Sequence, residues 1–208
     1  MSRKYARRSF MFGVLVSIVM AGAGCPDGFT MPSFEVVYIP DTVLEDVVRD
    51  TIGKPFGLLT RNDLMGVQRL DGRALGISDL TGLEYCTNLT WLNLNDNNIT
   101  DLTPLANLDN LEFLYLNNND ITNITPLAGL YYLNEVTLST NEVWDLSPLV
   151  ENALHSPGFG DGEGDFVTVD AEDFVDGSGV PLDAAIAEDV ETLEAENVEV
   201  IFTVSTTK

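Results

Sequence analysis

The sequence predicts an α/β solenoid. Short parallel strands line a concave side, 3₁₀ or irregular turns form the convex side, a helical cap precedes the stack and an atypical repeat closes it. Three observations predict this fold. A pattern of apolar and Asn positions returns with a fixed 22-residue period, and the second half of each unit carries its own Pro-centred signature. An amphipathic helical pattern stands before the first unit, and the period breaks after the last.

The units come first. Leu89, Leu92, Leu94, Asn97 and Ile99 define one, and Leu111, Leu114, Leu116, Asn119 and Ile121 take the same places one period on. Leu133, Val136, Leu138, Asn141 and Val143 follow in the next, while Val67, Leu70 and Ile77 fit one period earlier, with Gly72 and Leu75 replacing the middle Leu and the Asn. Each Leu-x-Leu pair alternates with polar residues, the period of a strand with one buried face. A single unit cannot bury that face, so neighbours must cover it. Asn97, Asn119 and Asn141 end the strands at tight turns. An amide that both donates and accepts can satisfy backbone groups of the turns on either side, which predicts a structural Asn ladder. Pro104, Pro126 and Pro148 sit in recurring Leu-x-Pro-Leu segments. Proline fixes φ and lacks an N–H, which suits a short 3₁₀ turn.

The ends follow from capping. Asp41 is placed to cap a helix carrying Leu44, Val47, Val48 and Ile52, stopped by Gly53-Lys54-Pro55. Thr60 to Asp63 reads as a second N-cap before Leu64. After Leu149 a Gly- and Asp-rich loop runs from His155 to Asp165. Phe166 to Asp170 then alternates as a strand, residues 183–196 read as a helix stopped by Asn197, and Val198 to Phe202 read as a final strand. The alternative for this end is a separate small domain, although a segment of that length barely supports a core. The organisation expected is a signal segment over 1–25, a linker over 26–38, a helical cap over 39–66, four repeats over 67–154 with the first degenerate, and an acidic loop with a capping repeat over 155–208.

On these residues, the segment 39–150 resembles bacterial leucine-rich repeats of the 22-residue, internalin-like class. The helical cap is similar to those that precede such repeats. The resemblance implies a leucine-rich repeat solenoid that presents a surface, and relatives of this kind are associated with protein recognition and adhesion. Family resemblance does not fix the partner.

The segment from Met1 to Cys25 reads as targeting rather than fold. Arg3, Lys4, Arg7 and Arg8 precede an apolar run from Phe10 to Met20, too short for a stable span. Ala23-Gly24-Cys25 resembles the end of a bacterial lipobox, which implies lipidation at Cys25, although Gly22 stands where Leu is usual. Ala21-Gly22-Ala23 equally fits an ordinary cleavage site. Arg7-Arg8 leaves twin-arginine export open. The expectation is an exported, membrane-anchored lipoprotein of the bacterial envelope, with a secreted or periplasmic form as the alternative. Cys86 falls at a core position occupied by Leu108 and Leu130 in later units, so a buried thiol is expected over a disulfide to Cys25.

Charge excludes some partners. The chain has 33 acidic and 10 basic residues. Four basic residues lie in the signal segment, leaving 33 against 6, a net charge near −27. No Lys or Arg occurs from Ala74 to Thr207. The repeats therefore carry no phosphate-binding patch; no nucleic acid is expected, and a membrane only through the N-terminal lipid. The acidic balance reads first as solubility, and second as attraction for a basic partner or divalent cations. Asp161, Glu163, Asp165, Asp170, Glu172, Asp173 and Asp176 lack the spacing of a Ca²⁺ loop, so no metal is assigned.

Residues flanking the buried pair point outward. Trp91, Asn93, Asn95, Phe113, Tyr115, Asn117, Glu135 and Thr137 form the candidate ligand-binding face, extended by Gln68, Arg69 and Asp71 at one end and Thr168 and Asp170 at the other. Trp91 and Phe113 are expected to stack as ladder neighbours, with Tyr115 beside them. Aromatics framed by Asn are typical recognition anchors, yet aromatics on a small sheet also simply cover one another. Trp144 is expected to cover the edge near the irregular end, and His155 to face solvent. The sequence contains no triad, no phosphate loop and no metal set. The reading is a non-enzymatic, cofactor-free, monomeric recognition module for a protein or envelope glycan. The alternative is a structural scaffold using its edges and caps.

Overall fold

The computed structural model describes residues 35–155, 165–170 and 184–203. Cys25, the signal segment, residues 26–34 and most of the acidic loop lie outside the described residues, while residues 35–38 of the expected linker belong to the cap: Val36 bridges Thr60, and the buried Val37 donates its N–H to the Leu59 carbonyl at 2.9 Å.

The N-terminal cap is built by capping chemistry. Helix α1, Thr42–Ile52, starts where the Asp41 carboxylate accepts the N–H groups of Val43 and Leu44, and buries Leu44, Val47 and Val48. It ends at Gly53, whose φ of 65° is left-handed. Helix α2, Arg61–Met65, is set by a reciprocal Thr60–Asp63 capping box and buries Leu64. Lys54 Nζ reaches Asp63 at 2.6 Å. That bond first, then the Thr60 hydroxyl, hold the Asp63 carboxyl below its ordinary pKa.

The stack follows as a six-stranded parallel sheet in chain order. Its strands are β1 Arg69–Asp71, β2 Trp91–Asn93, β3 Phe113–Tyr115, β4 Glu135–Thr137, β5 Phe166–Asp170 and β6 Glu199–Thr203. Arg69 pairs with Trp91, Trp91 with Phe113 and Phe113 with Glu135, each step one sequence period. Between strands the chain makes 3₁₀ turns at Leu83–Tyr85, Thr103–Leu105 and Thr125–Leu127, the last two with Pro in the first turn.

The core is a set of columns running through the stack. Leu70, Leu92, Leu114, Val136, Val167 and Val200 form one, and Ile77, Ile99, Ile121 and Val143 another; all are buried. Burial of each side chain stabilises by up to roughly 1.5–3 kcal/mol. Gly72 has no side chain because there is no room: a Cβ there would lie 2.9 Å from Ile77 Cδ1 and 3.1 Å from Leu94 Cδ2. The degenerate first unit is thus filled from its neighbour.

Buried asparagines form the second structural element. Asn119 Oδ1 accepts the Ile99 N–H at 3.1 Å while its Nδ2 donates to the Leu94 and Leu116 carbonyls at 3.0 and 2.9 Å. Asn141 repeats this pattern with Ile121, Leu116 and Leu138, and Asn97 with Ile77, Gly72 and Leu94. The residue before each, Asp96, Asn118 or Thr140, has positive φ, as does Ala74 in the first unit. The turn therefore needs a left-handed residue, which Asn and Asp tolerate and β-branched Thr does not readily adopt.

The fourth unit departs from its predecessors. Where a 3₁₀ turn would recur, helix α3 runs Ser147–His155, so His155 ends a helix rather than sitting in a loop. The pattern-breaking residue is Asn152, fully buried, whose amide accepts from Gly129 N–H and donates to the Leu127 carbonyl, both at 2.7 Å. These bonds pin α3 to the preceding unit. Helix α4, Ala184–Ala195, then leads to Asn197 at φ 64° and on to β6. Among the described residues no helix is long and apolar enough to cross a membrane.

Candidate ligand-binding face

The side chains that alternate with the core positions emerge on the sheet's open face in two rows. One row is Arg69, Trp91, Phe113, Glu135, Phe166 and Glu199; the other is Asp71, Asn93, Tyr115, Thr137, Thr168 and Ile201. Phe166 joins the first row without a signal in the sequence, because its distance from Glu135 along the chain exceeds the regular period.

A diagonal connects four strands across these rows. The Arg69 guanidinium lies over the Trp91 ring at 4.3 Å from its centroid. Trp91 meets Tyr115, not its ladder neighbour Phe113, with centroids 5.6 Å apart and planes tilted by 56°. That tilted geometry suits the aromatic quadrupoles better than a face-to-face stack. Tyr115 is half-buried, and burial first, then the adjacent Glu135 carboxylate, raise its pKa. The expected Trp91–Phe113 stack is therefore replaced by a diagonal pair, since the alternate rows of one strand are within reach of large rings on the next.

Two expected face residues are not free. Asn93 and Thr137 flank Tyr115 in register and both are buried, with Thr137 at 6 % exposure. Asn93 Oδ1 accepts the Asn95 N–H at 3.1 Å, a turn bond rather than an offered group. Thr137 Oγ1 and Thr168 Oγ1, paired across β4 and β5, are buried without a hydrogen-bond partner among the described residues. The side chain of Asp170 lies outside the described residues.

Asn95 and Asn117 remain at the surface with their orientation fixed. Asn95 Oδ1 accepts the Asn117 N–H at 2.7 Å, and Asn117 Oδ1 accepts the Ser139 N–H at 2.8 Å. A backbone N–H can meet only the amide oxygen, so the Nδ2 groups point away and offer donors along that edge. At the opposite edge the asparagines turn the other way: Asn88 Nδ2 donates to the Met65 carbonyl at 2.7 Å and Asn110 Nδ2 to the Thr87 carbonyl at 2.8 Å. Their separation by one full period was the available signal for this second, outer ladder.

Other candidates fall away from the face. Trp144 stands in solvent at 65 % exposure and does not cover the sheet edge. His155 is exposed, its Nδ1 2.9 Å from the Glu151 carbonyl. Cys86 is a free, fully buried thiol, its pKa pushed up to about 12 by burial and then by Glu84. A thiol so held is not a nucleophile at neutral pH. Among the described residues no group of three or more His, Cys, Asp or Glu could hold a metal ion.

Parallel strands at a constant sequence interval, a buried Asn column and Pro-initiated turns make the fold an α/β leucine-rich repeat solenoid. The family of Leucine Rich repeats (2 copies) matches residues 87–129 and 109–151. The chain is similar to an internalin (inlF) from Listeria monocytogenes, 31 % identical over 63 % of this chain and 43 % of that one, with a TM-score of 0.56. It therefore spans less than half of that internalin's length. An internalin C2 (inlC2) from the same species is 26 % identical over 79 % of this chain and 94 % of its own, at a TM-score of 0.35. The CBM51-2 and INT domains of Clostridium perfringens ZmpB are 29 % identical over 51 % of this chain and 20 % of theirs, at a TM-score of 0.39. Neither of these two superposes closely enough to bear on the fold. Among curated proteins none matches the chain.

Proposed function

We propose that this protein is a non-enzymatic recognition module that meets another protein through the open face of its repeats. The observation that carries the reading is the Arg69–Trp91–Tyr115–Glu135 diagonal, which spans four strands and combines a cation, two half-exposed rings and a carboxylate. Such residues make interface anchors. The face is narrower than the roughly 20–30 residues per side of a stable interface, so the partner is small or weakly bound, or the caps join the contact. An envelope glycan is the alternative ligand for the same face.

Export supports the same reading. The basic start, apolar run and Cys25 suit a tethered envelope protein, with residues 26–34 as the linker and Cys25 as the acylated residue. Without acylation the chain is released as a secreted or periplasmic form. The module works as a monomer and without a cofactor.

A second reading has its own observation. Tyr38, Phe56 and Leu58 on the N-terminal cap are exposed at 76, 70 and 67 %. They favour a scaffold that assembles through its cap. Capture from envelope extract separates the two. Wild-type bait is compared with bait carrying Trp91, Phe113 and Tyr115 changed to Ala, after circular dichroism confirms that the variant is folded. A partner retained only by the wild type supports the face. Equal retention by both baits overturns the face reading and moves the function to the cap.

A further inference from the structure

We infer that the groove along the strand-start edge of the sheet is a socket for the cationic side chain of a partner protein, a lysine ammonium or an arginine guanidinium. The groove has a volume of about 380 Å³ and is lined by Gln68, Asn88, Thr90, Asn110, Glu112 and Tyr132. It lies beside the aromatic diagonal and shares no residue with it, so the inference stands whether or not the diagonal anchors a partner.

The argument is one of donor and acceptor accounting. Asn88 and Asn110 each donate one Nδ2 N–H to the Met65 and Thr87 carbonyls, which fixes the orientation of the amide. Their Oδ1 atoms therefore face away as acceptors. Thr90 donates its hydroxyl hydrogen to the Gln68 carbonyl at 3.2 Å, which leaves its oxygen lone pairs as what it offers. Glu112 is half-buried and forms no ion pair among the described residues. Four of the six lining residues thus present an acceptor oxygen, and the fourth carries a charge. A positively charged ligand rich in N–H donors satisfies these oxygens.

Among the described residues the cations are engaged elsewhere. Arg73 faces Asp71, Arg61 faces Glu35, Lys54 faces Asp63, Arg49 faces Glu45, and Arg69 lies on Trp91. No Lys or Arg occurs from Ala74 to Thr207. Tyr132 adds the remaining wall. It stands where the repeat pattern places Asn88 and Asn110, so the outer ladder stops there and an aromatic ring, half-exposed, closes the groove instead. A ring beside a carboxylate attracts ammonium and guanidinium groups through its quadrupole. The formal charge of −23 steers such a group toward the protein, and the groove gives it a seat.

The test uses the full chain, ¹⁵N-labelled, titrated with capped Gly-Lys-Gly, Gly-Arg-Gly and Gly-norleucine-Gly peptides. The expected result is saturable shifts of the Asn88 and Asn110 side-chain amides and the Thr90 backbone amide with a cationic peptide and none with norleucine. Tighter binding of the Lys peptide identifies an ammonium socket, and tighter binding of the Arg peptide a guanidinium socket. Glu112→Gln should weaken the cationic peptide about tenfold and Tyr132→Ala about threefold, while Glu151→Gln on α3 should leave it within twofold. Equal weakening by Glu112→Gln and Glu151→Gln overturns the inference, because diffuse attraction to an acidic surface then explains the binding. Binding of the norleucine peptide as tight as the Lys peptide overturns it as well.

Discussion

The units that carry β1 to β4 and the segment that closes the stack use the same sheet in different ways. From β1 to β4 the strands are short and follow one another at a constant interval; β5 and β6 are longer, and so are the stretches from Glu135 to Phe166 and from Phe166 to Glu199 that separate their starts. The difference traces to the turn after the strand. In the regular units Asn97, Asn119 and Asn141 divert the chain as soon as the Leu-x-Leu pair is buried, and their amides occupy backbone groups that a longer ladder would use. The closing strands pair over five residues, Phe166–Asp170 with Glu199–Thr203. The period of this solenoid is therefore set by the turn and not by strand propensity. A core column can continue, as Val136, Val167 and Val200 do, after the period has changed.

The sharpest way to break that comparison is to remove one turn amide. Asn119→Ala leaves the Ile99 N–H and the Leu94 and Leu116 carbonyls short of a buried partner. The expected cost is about 3 kcal/mol, since each unmade buried hydrogen bond costs roughly 1–3 kcal/mol and some relaxation is available. In the closing strands Val200→Ala, at the sheet edge, should cost only about 1 kcal/mol. Chemical denaturation of both variants checks the pair. If they cost the same, the ladder is not what holds the regular units.

This contrast also explains what could be read in advance. The regular units were legible because their physics repeats: Leu92, Leu114 and Val136 recur at one spacing, and an Asn returns at the turn after each of them. The cap was legible because Asp41, Gly53 and Thr60 are local capping signals. The closing end was legible as elements but not as a register. Nothing local says that Phe166 must pair with Glu135. Helix α3 was missed because Asn152, which holds it, bonds to Gly129 and Leu127 in the preceding unit. On the open face, alternation separates the two strand rows from the core column. It could not indicate that Asn93 and Thr137 would be covered beside Tyr115, since that depends on ring size and tilt. The donor and acceptor edges were hidden because an Asn reads the same in sequence whichever end of its amide the backbone takes.

At the other boundary of the regular stack, Gly82 sharpens the comparison. Its φ is +105°, and a Cβ there would meet Ile39 Cγ1 at 2.7 Å. Gly82→Ala should cost about 2 kcal/mol, combining left-handed strain with a forced shift of the cap. Gly129 also has positive φ, but open space lies around it. Gly129→Ala should therefore cost less, about 1 kcal/mol, from strain alone. Differential scanning calorimetry on the two variants separates contact from conformation. Equal losses would remove the tight approach of the cap.

Asp41 joins the same cap to the first unit. Burial would raise its pKa, but the N–H groups of Ser78, Leu44, Asp79 and Val43 outweigh it and hold the carboxyl below its ordinary value. A depressed folded-state pKa contributes stability above the unfolded value, near 3.9, that is lost as pH falls through the folded one. Asp41→Ala should cost about 1 kcal/mol at pH 7, in the range of a lost N-cap. Its difference from wild type should shrink in denaturation curves taken below pH 4. A difference constant from pH 7 to pH 2 would mean that the carboxylate's charge plays no part.

The smallest expected effect sits on the boundary itself. Thr137 and Thr168 face each other where the regular spacing gives way to a longer one, and both hydroxyls are buried without a partner among the described residues. A buried hydroxyl that makes no hydrogen bond destabilises, while a methyl of the same size does not. Thr137→Val should therefore raise stability by about 0.5–1 kcal/mol, the reverse of the usual effect of a core substitution. The same variant tests the reach of the open face. Thr137 belongs to the outward row by alternation, yet at 6 % exposure it has almost no surface to offer. Partner capture should thus be unchanged by Thr137→Val and lost on substitution of Trp91 and Tyr115. A loss of capture with unchanged stability would return Thr137 to the binding face and place the contact on the boundary between the regular and the closing units.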